Sequence, residues 1–237
     1  LFLGAGCIIH AVHSNEMSAM GGLRRYMPVT HVTFLVACLA IAGVWPLSGF
    51  FSKDEILTAC FAFSPVMGWV MTGIAGLTAF YMFRLYYNIF WGRGNRELHA
   101  AHTPHEAPLT MTLPLVFLAA VTCAAGFIPF GNFVSSDGLP YAIHIDRGVA
   151  GVSLCVAAAA IALATWMYLR ERQPVADALA VRFRGLHKAA YHRFYIDEIY
   201  RFITHRVIFA CISAPIAWFD RHVVDGLMNL LARATNG

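Results

Sequence analysis

The fold is decided by residues 43–55, which read GVWPLSGFFSKDE. Pro46 removes a backbone hydrogen-bond donor and clashes with the preceding helical turn, and the glycines on either side loosen the helix further. We therefore predict a broken helix, with a first half that begins at Thr30 and a second half that runs through Lys53 towards Phe61. A simple proline kink, which is common in membrane helices, is the alternative interpretation.

The broken helix belongs to a chain with the composition of a membrane protein. Of its 237 residues 59% are hydrophobic and 13% are charged, whereas a soluble domain carries about 25% charged residues. Asp, Glu, Lys and Arg are absent from residues 1–15, 26–52, 56–83, 107–136 and 148–169. A bilayer span requires about 20 apolar residues, so all but the first interval are long enough. The sequence predicts an all-α, multi-pass transmembrane helix bundle with one discontinuous helix.

The basic residues indicate the orientation of this bundle. The connecting segments 14–27, 92–108 and 170–193 together hold ten Lys and Arg, whereas segments 59–65 and 131–147 hold one. Because cytoplasmic loops carry the excess of basic residues, the first group is predicted to face the cytoplasm.

The last stretch, residues 194–237, differs from the transmembrane part, residues 1–193. Its apolar residues recur with a helical period from Ile199 to Leu231, but charged residues interrupt them. Only residues 207–219 are free of charge, too few to cross a core about 30 Å thick. We predict an amphipathic lateral helix along the cytoplasmic face, against lipid or partner subunits. A helix that merely packs on this chain is the alternative.

The cluster Lys53-Asp54-Glu55 is the strongest candidate for chemistry. It lies between two long charge-free runs, and an ionisable residue inside a membrane indicates function by default. Burial lowers the pKa of a lysine readily, whereas an arginine keeps its proton, and Lys188 is the other lysine beside fifteen arginines. We predict a proton relay in which Asp54 or Glu55 holds the ammonium form. A solvated loop on the far side of the membrane is the alternative.

Three histidines are further candidates for a proton path, because histidine titrates near neutral pH. His10 and His13 lie one turn apart at the end of the first helix, where capping of that helix is an equally good interpretation. His31 lies just inside the second helix, where a hydrogen-bonded histidine within the bundle is the alternative.

Two other groups receive structural interpretations. His99, His102 and His105 have the spacing of a metal site, but with Pro104 and Glu106 beside them we predict a solvated loop. An interfacial belt is predicted near the end of the third helix, from Tyr81, Arg84, Tyr86 and Tyr87. The six cysteines never form C-x-x-C and no phosphate-binding loop occurs, so no cofactor, metal or nucleic acid is predicted to bind this chain.

Several motifs carry a family resemblance. They are LFLGAG at 1–6, IHAVH at 9–13, MGGLR at 20–24, GVWPLSGFFSKDEIL at 43–57, TAFYMFRL at 78–85 and HEAP at 105–108. Together they resemble the antiporter-like, proton-pumping subunits of respiratory complex I, above all the distal pump subunit of the bacterial enzyme. Two later segments, residues 194–200 and 218–226, look like the start of that subunit's lateral helix.

The resemblance implies a role for individual residues. Lys53 holds the position of the family's proton-carrying lysine on a broken helix, and Asp54 that of its acidic neighbour on the exit path. The family's central lysine would stand just before Leu1, and its closing transmembrane helix would follow residue 237.

The resemblance also implies a membrane and a set of partner subunits for this chain. The chain would lie in a bacterial inner membrane beside other antiporter-like subunits, with NADH, FMN, iron–sulfur clusters and quinone held by partner subunits. Mrp-type sodium/proton antiporter subunits and membrane-bound hydrogenase subunits share the same core and remain alternatives. A truncated chain that only braces a complex is a further one.

Overall fold

The computed structural model describes residues 1–92, 103–128, 146–170 and 173–235. Its regular elements are all helices, which confirms the predicted all-α class for the described residues. The chain divides into two compact units, Leu1–Ala176 and Asp177–Gly237. The helices of the first unit are α1 Phe2–Val12, α2 Pro28–Ala42, α3 Ser48–Phe63, α4 Pro65–Phe90, α5 Leu109–Ala124 and α6 Arg147–Tyr168.

Helix length and composition define a multi-pass membrane protein. Within the described residues, four helices are long and apolar enough to cross a bilayer, namely α4, α5 with the turn that extends it to Phe127, α6, and a C-terminal helix over Arg193–Thr235. The helices α1 and α2 are apolar but shorter. Of the four long charge-free intervals, those at 107–136 and 148–169 each hold one described transmembrane helix, α5 or α6. The interval 26–52 is divided between α2 and α3, and the interval 56–83 between the end of α3 and α4.

The predicted break is present and is more than a kink. Helix α2 ends at Gly43, whose left-handed backbone (φ 81°) is a conformation that glycine adopts without a steric penalty. The Gly43 N–H donates to the Ala40 carbonyl at 3.0 Å, and the Val44 N–H donates to the Leu39 carbonyl at 3.1 Å. This Schellman arrangement closes the helix end, and α3 then starts at Ser48.

The two halves of the broken helix meet backbone to backbone. A Cβ atom added to Gly49 would lie 1.8 Å from the carbonyl oxygen of Ala40, which is far inside contact distance. The first turn of α3 therefore packs directly on the last turn of α2, and no other residue fits at position 49.

The core of the first unit lies between α2, α4 and α6. It is built from aromatic and sulfur-containing side chains, among them Phe34, Cys38, Met82, Phe83, Tyr86 and Phe90. On α6 the buried alanines recur every seven residues, at Ala150, Ala157 and Ala164. These small residues let helices approach closely in a membrane, where packing drives their association.

The second unit is helical where the sequence predicted a connection. Helix α7 (Pro174–Arg182) leads into it and α8 (Arg184–Tyr191) follows, so most of the segment 170–193 is regular. The C-terminal helix (Arg193–Thr235) begins with a left-handed turn whose three residues are not glycine, at φ 53° to 59°. Such backbone is strained in L-residues.

The C-terminal helix alternates between α-helical and π-helical turns. Its α-helical parts are α9 Ile196–Phe202, α10 Ala214–Phe219 and α11 Asp225–Thr235, and the π-helical parts are Ile203–Ser213 and Asp220–Val224. None of its residues is buried. By length and composition alone this helix could also cross a bilayer, so the prediction of a lateral helix stays a prediction.

Substitution of Gly49 tests the contact between the halves. We expect Gly49→Ala to lower the stability of the folded subunit by about 3 kcal/mol, because the new methyl group overlaps the Ala40 carbonyl. The matched control is Gly73→Ala in α4, where nothing lies within 4 Å of the added Cβ. The measurement is the folded fraction of the detergent-solubilised protein after graded heating, and equal losses in both variants would contradict the packing described.

Candidate functional site

Lys53 lies in the second turn of α3, directly over the end of α2. A Cβ atom added to Gly43 would lie 2.9 Å from the Cδ of Lys53, so the lysine stem crosses the backbone where the helix breaks. The Nζ of Lys53 is buried and has no hydrogen-bond partner among the residues that the structure describes. A buried amine without a partner is costly, so its presence at the break is unusual for a residue with a purely structural role.

A cavity adjoins the Lys53 side chain. It has a volume of about 440 Å³ and is lined by Leu1, Ala37, Ala40, Ile41, Ser48, Gly49, Ser52, Lys53 and Thr122. Its walls are therefore α2, α3 and α5, with polar groups contributed mainly by the first turns of α3. A space of this size can hold several water molecules beside polar side chains, as a proton path requires.

The acidic residues after Lys53 are also buried. Asp54 is fully buried, and neither of its carboxylate oxygens has a hydrogen-bond partner. The Oε1 of Glu55 and the hydroxyl of Thr58 are likewise buried without partners. Five orphaned polar atoms thus lie within six residues of one helix, and such groups in a structure point to a functional role.

The structure does not pair Lys53 with its acidic neighbours. The sequence interpretation held that Asp54 or Glu55 would bind the ammonium group, yet Lys53 Nζ has no partner. Consecutive residues on a helix point about 100° apart, so Lys53 and Asp54 face different sides of α3. The carboxylates that act electrostatically on Asp54 are Asp146 and Glu55.

His10 and His13 lie together but apart from Lys53. Their ring centroids are 6.1 Å apart, and His13 ends α1 in a left-handed conformation, with its N–H bonded to the Ile9 carbonyl at 2.7 Å. Neither ring bonds the Lys53 amine. The backbone of His13 thus performs the capping that the sequence offered as the alternative to a proton path.

His31 belongs to a second polar cluster near the start of α2. Its Nε2 lies 2.6 Å from the hydroxyl of Tyr86, and the indole N–H of Trp91 donates to the same hydroxyl at 3.4 Å. The guanidinium group of Arg24 lies 3.8 Å from the centre of the Trp91 ring. His31 precedes Gly43 by twelve residues, or about 18 Å along the helix, so the two clusters are separate.

Two structural interpretations are wrong in part. Tyr86 and Tyr87 are buried in the core, so they do not join Tyr81 and Arg84 in an exposed belt. Their hydroxyls find partners inside the bundle, which the sequence pattern could not indicate.

The predicted solvated loop is a loop over its described residues 103–108, but Glu106 in it is only half-exposed. His99 and His102 lie outside the described residues, and His105 is exposed as predicted. The carboxylate of Glu106, however, is hydrogen-bonded to the start of α2.

The fold and the site define a class, a multi-pass helical membrane protein with a buried lysine at a helix break. Residues 1–78 match the transmembrane family model described as "NADH:quinone oxidoreductase/Mrp antiporter". The match covers α1, both halves of the broken helix and the first half of α4. It confirms the resemblance stated from the motifs at the level of this family.

Relatives with curated names extend the likeness to the whole chain. NAD(P)H-quinone oxidoreductase chain 5 of Picosynechococcus sp. is 37% identical over 279 residues, covering 99% of this chain and 41% of that protein. The chloroplastic subunit 5 of Mesostigma viride is 32% identical over 99% of this chain and 39% of that protein. The chain therefore spans about two fifths of the length of these relatives.

Removal of the Tyr86 hydroxyl tests the His31 cluster. We expect Tyr86→Phe to lower stability by about 1 kcal/mol and to raise the reactivity of His31 towards diethyl pyrocarbonate at least twofold, because the ring loses its partner. Tyr87→Phe is the matched control, since it removes a comparable bond to Thr165 at 2.8 Å. Mass spectrometry measures the modification, and an equal change of His31 in both variants would contradict the assignment.

Proposed function

We propose that this chain is part of a membrane subunit that translocates protons in an NADH:quinone oxidoreductase of the complex I type. The observation that carries the proposal is the buried, unpartnered amine of Lys53 at a helix break beside a cavity. NADH, FMN, iron–sulfur clusters and quinone belong to partner subunits, which supply the driving force. The distal pump subunit, subunit L of bacterial NADH–quinone oxidoreductase, is the member that the motifs favour.

In the proposed mechanism Lys53 takes up a proton and releases it. An amine suits this step because its proton affinity changes with burial and nearby charge, whereas a guanidinium remains charged. Lys53 has no fixed counter-ion, so a charge that moves elsewhere in the complex can shift its protonation equilibrium. Asp54 is the proposed acceptor on the exit side, since it is buried, close in sequence and free of hydrogen bonds.

The histidines have a secondary place in this proposal. His31 is bonded to Tyr86, and this pair offers a proton-carrying group near the start of α2. His10 and His13 lie at the exposed end of α1 and are entry candidates. Glu55 completes the acidic group beside Lys53.

A sodium/proton antiporter subunit is the second candidate, because the matched family model also covers Mrp antiporters. The relatives favour the quinone oxidoreductase, since their similarity extends over 99% of the chain and includes the C-terminal helix.

The C-terminal helix is proposed to lie along the cytoplasmic face of the bacterial inner membrane, against neighbouring pump subunits. With 43 residues it would measure roughly 65 Å, about twice the thickness of the bilayer core. Its aromatic and aliphatic side chains are exposed along its length, among them Phe202, Phe209, Trp218 and Leu227. Charged residues recur between them from Asp197 to Arg233, as in an interfacial helix.

Substitution of Lys53 tests the proton-carrying role. In the full-length subunit within its complex, we expect Lys53→Ala to reduce proton pumping at least fivefold while assembly stays normal. Lys53→Arg should be as inactive, because it keeps the charge but does not release the proton. Lys188→Ala, in an exposed position on α8, is the control. The measurement is pH-gradient formation in inverted vesicles, and undiminished pumping by Lys53→Ala would refute the role.

Cysteine accessibility tests the placement of the C-terminal helix. With all six native cysteines replaced by serine, single cysteines introduced along 196–235 are labelled with a membrane-impermeant maleimide from the cytoplasmic side. A lateral helix predicts labelling that repeats every three to four residues over the whole length. A continuous protected block of about 20 residues would identify a span instead.

A further inference from the structure

The start of α2 is held by a carboxylate from a distant part of the chain. The Oε2 of Glu106 accepts hydrogen bonds from the N–H groups of Val29 at 2.8 Å and Thr30 at 3.4 Å. Its Oε1 accepts the hydroxyl of Thr30 at 2.6 Å and the N–H of Ala107 at 3.2 Å. One side chain thus engages four donors.

This arrangement replaces an ordinary helix cap. The first N–H groups of a helix lack intrahelical partners, and a side chain of the residue before the helix usually accepts from them. The residue before α2 is Met27, which has no oxygen in its side chain and makes no such bond. Glu106 lies 76 residues further along the chain than Thr30, and its negative charge also suits the positive end of the helix dipole.

The segment that carries Glu106 is fixed in turn. Ala107 is 7% exposed and belongs to an apolar cluster with Cys7 and Ala11 of α1, Met27, and Leu115 of α5. The segment that carries Glu106 is therefore held against α1 and α5, and α2 is attached to both through the Glu106 carboxylate.

The opposite end of α2 is the helix break. There Gly43 contacts the stem of Lys53, and Ala40 contacts the first turn of α3 at Gly49. An α-helix of fifteen residues is a rod of about 22 Å, so a displacement at its start is transmitted to its end. Because both contacts leave no space, α3 must follow α2.

We propose that Glu106 is a positioning residue for Lys53, which acts by anchoring α2 at its first turn. This inference rests on the proposed proton-carrying role of Lys53. In this proposal Glu106 is not itself a proton carrier. Its carboxylate sets the register of α2, and with it the placement of the lysine amine beside the cavity.

The experiment places a reporter at the break, far from Glu106. Ser52 lines the cavity and is exposed, so Ser52→Cys is labelled with a water-soluble maleimide in the detergent-solubilised complex. The rate is compared among Ser52→Cys alone and its combinations with Glu106→Ala, Glu106→Gln and Thr30→Val. Asp177→Asn, which removes an exposed carboxylate from α7, is the control. The protein without the reporter supplies the background from native cysteines.

We expect Glu106→Ala to change the labelling rate at least threefold and to lower the protons pumped per NADH oxidised at least twofold. Glu106→Gln keeps the length and one acceptor oxygen and should restore most of both. Thr30→Val should shift the labelling in the same direction as Glu106→Ala but less, and Asp177→Asn should leave it unchanged.

An unchanged labelling rate in assembled Glu106→Ala complexes would overturn the inference. If that variant does not assemble, unchanged rates in both Glu106→Gln and Thr30→Val would overturn it as well. A changed rate with a normal pumping ratio would also refute it. Failure of the proposed function is distinguished by Lys53→Ala, because normal pumping in that variant refutes the role of Lys53 whatever the reporter shows.

Discussion

A helix that ends inside the apolar part of a membrane protein must satisfy its backbone without water, and this constraint shapes the first unit. At the end of α2 the carbonyls of Leu39 and Ala40 are bonded within the chain, by the N–H groups of Val44 and Gly43. The remaining space is closed by Gly49, whose missing side chain allows α3 to touch α2. The break is thus a rigid joint.

The joint explains why a lysine lies there. An amine in the middle of a continuous apolar helix would face lipid or tightly packed side chains, and either is unfavourable. At the joint, Lys53 extends across a glycine and reaches a cavity bounded by three helices. The close packing at Gly43 and Gly49 that ends α2 also restricts the Lys53 side chain to one place.

The two ends of α2 have complementary electrostatic roles. The start of α2 is bound to the carboxylate of Glu106, which accepts four hydrogen bonds, and the unpartnered amine of Lys53, a residue of α3, belongs to a side chain that lies over the end of α2. The carboxylate is hydrogen-bonded and suits the proposed anchoring, whereas the amine has no partner among the described residues and suits the proposed proton transfer. The distinction follows from hydrogen bonding and not from residue type, since Asp54 is a carboxylate like Glu106 but has no partner.

The sequence by itself determined the helical class, the position of the helix break and the selection of Lys53 as the candidate site residue, because each depends on residues that are neighbours in the chain. The length of a charge-free interval predicts a membrane-spanning helix, and glycine and proline interrupt helices in any surroundings. Only the tertiary structure decided that Tyr86 bonds His31, that the polar groups of Lys53 and Asp54 are buried without partners among the described residues, and that Glu106 caps α2. These features depend on contacts between residues that lie far apart in the chain, or on how a helix is rotated in the bundle. A pattern of neighbouring residues predicts neither of the two.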